Sequence, residues 1–410
     1  MTDQPKPVTP ETYVPIVHEE IKGDLEKLMD TVISHYPIAL YDYDKEKLAK
    51  KYDTEEMYKK FLEKYINNFS LPTDTDEFRP TFGNTYYGGM DFADAKTTSM
   101  ISSTGWDLIK QIGKKILSGD FNLTTVTIPI KVMVPISILQ HVCNGHFNFP
   151  LYLNLASLTE DPVLQMKYVI TACLSSWFKS SVFLKPLNPI LGETYEMLWE
   201  DGSHEYVEQT SHHPPRSHFL INGPQNKYKY YGYLDFTSNV WFNSFKLTNK
   251  GTRFVEFENK KSKIQFNYSV DQYSNTFWGC LRHESIGEMS FIDHINGYTS
   301  NFKLGNVYGK FSDFFEGTIE KDGEVVSNFK GSYLEYIDFD GQRFWDIRRN
   351  IDIEAFPIKD QIKSSSIYRP DSLCLYERKL EQAQEEKDKL ENLQRKDRAL
   401  RKKYEEVESK

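Results

Sequence analysis

The sequence predicts a mainly β fold with flanking helices, built on one large antiparallel sheet that closes or nearly closes into a barrel. Three observations predict it. From Glu205 to about Asn350 aromatic and β-branched runs dominate, among them Tyr228–Phe236, Arg253–Phe257 and Ile264–Val270; such side chains favour a pleated, half-buried surface. The pairs Asn296-Gly297, Asp322-Gly323 and Asp340-Gly341 sit between apolar runs, and these residue types accept the positive φ that tight hairpins demand. No helical stretch interrupts this half, so successive strands must pair as hairpins rather than through helical crossovers. A large barrel of this kind can enclose a cavity.

Composition narrows the function. The 410 residues suffice for a large core, and length alone suggests two or three domains. With 50 Lys and Arg against 59 Asp and Glu, the net charge is −9. That excludes the basic excess of a nucleic-acid binder, so an anionic ligand would have to meet a local basic cluster. Met1–Pro15 has neither a basic nor an apolar leader region, and no signal peptide is expected. Val132–Thr159 is the longest stretch without Asp, Glu, Lys or Arg. Pro135, Gly145 and Pro150 break it, so it is not a membrane-spanning helix. Cys143, Cys173, Cys280 and Cys374 lie far apart with no C-x-x-C, as expected of reduced thiols in a cytoplasmic protein.

In chain order, residues 1–100 form an N-terminal extension in which Glu19–His35 and Lys45–Phe69 have helical spacing. They read as a helical pair packed on the main body rather than as a partner-binding arm. Pro72–Gly89 reads as a loop. In Gly105–Ser118, at about 100° per residue, Trp106, Leu108, Ile109, Ile112, Gly113, Ile116 and Leu117 cover one half of a helix. Lysines fill much of the other half, which suits a membrane surface. A strand with Leu123 follows at 120–129. Val132–Thr159 is apolar and should be buried. Asp161-Pro162 starts a helix as N-cap and first residue, with Val163, Met166, Ile170, Leu174, Trp177 and Phe178 facing the barrel. Glu377–Lys403 is a charged helix on which Lys387, Glu391 and Arg395 recur every four residues along one face. Residues 401–410 are a charged tail.

Two further stretches stand out. Glu208-Gln209-Thr210-Ser211-His212-His213-Pro214-Pro215 sets two histidines before two prolines. Each proline fixes its own φ and holds the residue before it extended, so the imidazoles are presented stiffly, as donors suited to a phosphate. Upstream, Lys185-Pro186-Leu187-Asn188-Pro189-Ile190-Leu191-Gly192-Glu193 offers a cation and an amide between prolines. Together the two resemble the E-Q-x-S-H-H-P-P and K-P-x-N-P-x-L-G-E signatures of the oxysterol-binding protein family. Tyr368-Arg369-Pro370-Asp371 is also family-like, and Lys387-x-x-Leu390-Glu391-x-x-Gln394-Arg395 resembles its K-x-x-L-E-E-x-Q-R, with Asn392 for the second acid. Arg216 departs from the usual aliphatic residue; it either adds charge near the site or faces water. Asp91–Thr97 partly resembles E-F-F-D-A-x-E, an endoplasmic-reticulum tether motif, departing at Ala93 and Thr97.

The resemblance covers about residues 101–400 and implies a lipid-binding domain whose barrel holds a lipid tunnel. It implies a short form lacking a pleckstrin-homology domain, and a lid at about 102–119. Trp106, Ile109, Ile112, Ile116, Leu117 and Leu123 are the lid and tunnel candidates. It further implies that Lys185, Asn188, His212, His213, Lys387, Glu391 and Arg395 bind the head group of phosphatidylinositol 4-phosphate. The expected protein is a monomer, peripherally and transiently in contact with membranes, that carries one lipid at a time and exchanges this phosphoinositide for a sterol or phosphatidylserine. A lipid sensor binding the same ligands remains open. No enzyme activity, cofactor or metal is expected: adjacent histidines rarely converge on one ion, and neither G-x-S-x-G nor a P-loop occurs.

Overall fold

The computed structural model describes residues 53–73, 75–92, 130, 133–180, 185–212, 214–241, 243–258, 262–276, 278–305, 307–358 and 361–408. The expected helix at 19–35, the tether-like residues after Phe92, the lid stretch with Trp106, Ile109, Ile112, Ile116 and Leu117, the Leu123 strand, and His213 lie outside them.

Helix α1 (Thr54–Phe61) begins where the Asp53 carboxylate accepts the amides of Glu55 and Glu56, and it continues as a π-turn over Leu62–Ile66. It buries Tyr58 and Phe61, while Lys64 and Tyr65 bond Glu200 on the main body. The segment that follows has little regular structure until β1 (Met90–Asp91). It is nonetheless strapped down. Arg79 bonds Asp313 and Glu335, and the Arg343 guanidinium donates to the carbonyls of Thr75 and Asp76.

The apolar stretch at 132–159 becomes β2 (Met133–Ser137), α2 (Ile138–Asn144) and α3 (Phe149–Ser157). Ser137 and Gln140 form a capping box that starts α2. Helix α4 (Pro162–Ser175) starts as its residues dictate, with Asp161 accepting from Val163 and Pro162 in the first turn; α5 (Trp177–Ser180) follows. Met166, Ile170 and Leu174 are fully buried.

The sheet then unrolls through β3 (Lys185–Leu187), β4 (Thr194–Trp199), β5 (His204–His212), β6 (Pro215–Asn222), β7 (Tyr228–Trp241) and β8 (Ser244–Asn249). It continues through β9 (Arg253–Phe257), β10 (Lys263–Phe266), β11 (Val270–Ser274), β12 (Arg282–Asp293) and β13 (Tyr298–Leu304). The last strands are β14 (Phe314–Lys321), β15 (Glu324–Ser332), β16 (Tyr336–Phe339), β17 (Gln342–Asp346) and β18 (Ala355–Pro357). Helices α6 (Pro370–Tyr376) and α7 (Leu380–Glu408) close the chain.

Among the described residues sixteen strands form one antiparallel sheet running from β17 to β18, and β2 pairs with β3 in a parallel pair of their own. Helix α4 touches β16 and β17, α3 touches β7, and α2 touches β4 and β5. One short run of helices reaches both halves of the sheet only if the sheet curls around it. Tyr230, Phe266, Phe291 and Phe302, on β7, β10, β12 and β13, stack with centroids 5.0–6.2 Å apart, a row of rings that links the neighbours β10, β12 and β13 and reaches across β9 to β7.

Two sequence readings need adjustment. Ile264–Val270 is not one strand, because Asn267 binds Glu288 O and Ser290 N with its side-chain amide, replacing ladder bonds and separating β10 from β11. Asn296-Gly297 closes a longer turn in which Gly297 N bonds Asp293 O; of the three expected hairpin pairs, Asp322-Gly323 and Asp340-Gly341 have positive φ at both residues.

Registers sort the turns by end. Thr194 faces Glu208, Arg216 faces Asp235, Gly287 faces Leu304 and Phe314 faces Ser332. The segment 185–193, the turn at 212–215 and the loops after β7, β11 and β13 therefore share one end of the sheet.

Candidate functional site

The 185–193 segment and the C-terminal helix, some 200 residues apart in sequence, meet through a small apolar cluster. Leu187 and Ala383 are fully buried there with Ile130, Met133 and Leu375, and the missing bulk of Ala383 lets the helix approach closely. Ile130 N also donates to Gln384 Oε1 at 3.1 Å. With Leu187 and Ala383 in one cluster, Lys185 and Lys387 fall side by side, each within one helical turn or one strand repeat of the contact.

The polar groups then form a chain. Lys185 Nζ donates to Asn188 Oδ1 and to Pro186 O. Lys387, 5% exposed, bonds Glu391 Oε1 at 2.6 Å. Glu391 Oε2 accepts from Arg395 at 3.0 Å, and Arg395 also reaches Asn392 at 2.7 Å. Two cations, Lys387 and Arg395, thus share one carboxylate, while Lys185 is held by Asn188 and Pro186. Burial, then the neighbouring charges of Lys387 and Arg369, push the Lys185 ammonium down to about 7, against which Glu391 pulls weakly upward. Burial is the main cause, and negative charge brought close would favour the cation again.

His212 ends β5 opposite Pro215 and is half-buried. Its strand is zipped to the lysine segment, since Gly192 N donates to Gln209 O and Gln209 N to Glu193 O, both at 2.9 Å. Five of the seven expected residues therefore gather in one cluster, and His212 lies on the hairpin bound to it. Arg216 is spoken for: it pairs with Asp235 at 2.7 Å across the β6–β7 ladder.

Sequence reasoning assigned no role to the group that sets this geometry. Arg369 is buried and donates to Asn188 O at 2.6 Å, to Glu193 Oε2 at 2.9 Å and to both oxygens of Asp371. Glu193 also accepts from Ser366 Oγ and from Ile190 N. This lattice clamps the Asn188–Glu193 bend from behind. Its signal was present, as charged residues fixed beside prolines within two family-like motifs, but nothing in the sequence said that they pair.

A family model described as oxysterol-binding protein matches residues 108–366. The chain belongs to the oxysterol-binding protein family. Among its relatives, oxysterol-binding protein 9 of Dictyostelium discoideum is 31% identical over 287 residues, 64% of this chain and 67% of that protein. Mouse oxysterol-binding protein-related protein 3 is 25% identical over 370 residues, 81% of this chain but 42% of that protein. The chain thus spans less than half of the latter's length. Two solved structures share the fold. The Osh3 ORD of Saccharomyces cerevisiae in complex with PI(4)P has a TM-score of 0.60 at 19% identity, covering 80% of this chain and 89% of that one. The Osh1 ORD domain in complex with cholesterol has a TM-score of 0.60 at 20% identity, covering 88% and 90%. No described helix of this family member is long and apolar enough to cross a membrane.

Proposed function

We propose that this protein is a lipid carrier that takes a single lipid from a membrane and exchanges phosphatidylinositol 4-phosphate for a second lipid, a sterol or phosphatidylserine. Lys185, Asn188, His212, His213, Lys387, Glu391 and Arg395 grip the phosphoinositide head group, and residues 102–119 cover the bound lipid as a lid. The observation that carries the reading is the cation cluster: Lys387 and Arg395 share the Glu391 carboxylate, and Lys185 is disfavoured as a cation by burial first and by the charges of Lys387 and Arg369 second. A phosphomonoester brings nearly two negative charges and three acceptor oxygens, which offsets that repulsion. Arg395 supplies a forked donor and the lysines supply point charge. No bond is made or broken; the chemistry is recognition alone. The related domains solved with PI(4)P and with cholesterol support both ligand classes.

The test is transfer between two liposome populations, one carrying phosphatidylinositol 4-phosphate and the other a sterol or phosphatidylserine. Wild-type protein should move many lipids per molecule, whereas His212→Ala with His213→Ala should abolish phosphoinositide extraction and leave the fold intact. Stoichiometric binding without turnover would point to a sensor instead. Extraction retained by the double variant would remove the histidines from the site.

A further inference from the structure

The end of the sheet that carries the cation cluster also carries an unusual set of exposed rings. Tyr86 is 80% exposed, Tyr87 63%, Trp278 47% and Tyr308 fully exposed. They come from three loops, 82–92, 274–282 and 304–314, which the registers described above bring to one end.

These loops are not slack. Ser312 N donates to Tyr87 O and Phe92 N to Leu281 O. The Arg282 guanidinium donates to Gly88 O and lies over the Tyr87 ring. Asp313 accepts both Gly89 N and Arg79. Asn243 holds the backbone of Trp278 from both sides. Gly88 and Gly89 have positive φ, and a Cβ on Gly88 would lie 2.4 Å from Ser312 N, so the backbones fit tightly while the rings point outward. Rings exposed on a braced frame are presented, not left over from poor packing.

Charge around them is complementary to an anionic surface. Lys310 is exposed beside Tyr308; Arg282, beneath Tyr87, is paired with Glu284 and adds no free charge. The one acid within these loops ahead of Asp313 is Asp91, and Asn84 caps both its oxygens.

We propose that Tyr86, Tyr87, Trp278 and Tyr308, with Lys310, form a rigid docking rim that seats the cation-cluster end of the barrel on an anionic bilayer. Tyrosine and tryptophan suit this role, since an apolar ring with one polar edge settles at head-group depth. The rim works before any lipid is gripped: it sets the height and tilt at which the head-group site meets the surface. It rests on the reading that the protein draws lipid from a bilayer, and it adds the surface that makes the contact.

The experiment separates the two. The full chain is floated with phosphatidylcholine vesicles with and without phosphatidylserine, all free of phosphoinositide. Water-soluble short-chain phosphatidylinositol 4-phosphate is titrated separately. Tyr86→Ser, Tyr87→Ser, Trp278→Ser and Tyr308→Ser combined should lower vesicle partitioning roughly ten-fold or more while leaving short-chain binding unchanged. Lys310→Glu alone should remove the preference for phosphatidylserine. Lys185→Ala should do the reverse of the rim variant, keeping flotation and losing short-chain binding. Unchanged flotation of the rim variant, or no flotation of the wild-type chain on either vesicle, overturns the rim whatever the head-group site does. Loss of short-chain binding by the rim variant would also overturn it, because the rings would then act through the fold.

Discussion

On the proposed reading, the depressed Lys185 ammonium makes phosphoinositide binding a proton-linked reaction, and the direction follows from its position. In the empty protein the group loses its proton near pH 7, because burial and then the charges of Lys387 and Arg369 disfavour the cation. A phosphate can use only the protonated form. Above about pH 7, binding must therefore draw a proton from solvent, and affinity falls by about ten-fold, or about 1.4 kcal/mol, per pH unit. The fall continues until the pH passes the higher value that Lys185 has in the complex. The ligand's own second ionisation, near pH 6, is already complete there and cannot mask the slope. Titration calorimetry at about pH 8 in two buffers of different ionisation enthalpy should count about one proton taken up per ligand. Lys185→Arg keeps the charge through this range and should abolish both the uptake and the slope. The empty protein should behave oppositely in stability. Between about 7 and the ordinary lysine value of 10.5 the unfolded chain holds a proton that the folded chain has released, so stability rises with pH across that window. A flat wild-type affinity from about pH 7 to about pH 9, or the same slope in Lys185→Arg, would refute the reasoning.

Two further predictions concern the frame. Arg369→Ala leaves the carboxylates of Glu193 and Asp371, 1% and 0% exposed, without their cation; urea unfolding should show a loss of about 3–5 kcal/mol. The loss should shrink as pH falls and the stranded acids take up protons, and a pH-independent loss would count against stranded charge as the cause. Gly251→Ala places a Cβ 1.8 Å from the Tyr233 carbonyl and should cost about 1–3 kcal/mol or more. Gly323→Ala meets nothing within 4 Å and carries only the strain of φ +84°, about 1–2 kcal/mol; equal losses would show that contact is not what Gly251 avoids.

The strand-rich half was legible because its elements are specified locally. Arg253–Phe257 matches β9, and both Asp-Gly turns fall where two residues of positive φ are required. Helix α4 was equally plain, since its cap and first-turn proline lie in the sequence beside the helix they start. The reading failed where a side chain from elsewhere decided the outcome. Nothing within 264–270 says that Asn267 will bond two backbone groups of β12. The 72–89 segment is a loop, as read, but its sequence does not say that arginines from 79 to 348 will bind it down.

The site divides along the same line. Lys185, Asn188, Lys387, Glu391 and Arg395 are singled out by their match to the family's motifs, and the four-residue repeat puts the last three on one helical face. Their convergence could not be chosen in this way. It depends on Leu187 and Ala383 sharing a buried cluster and on Arg369 joining Asn188 O, Glu193 and Asp371. Those contacts are apolar or internally neutralised, so they leave no charge pattern for a sequence reading to find. The clamp also accounts for the unbalanced charge in front of it. Arg369 spends its hydrogen bonds on Glu193 and Asp371, so neither acid is left to neutralise Lys185. Glu391, the acid whose charge acts on Lys185, is already divided between Lys387 and Arg395. The same network that fixes the loop thus leaves Lys185 on neutral partners, Asn188 and Pro186 O, with no paired acid among the described residues, a setting that suits the proposed phosphate ligand.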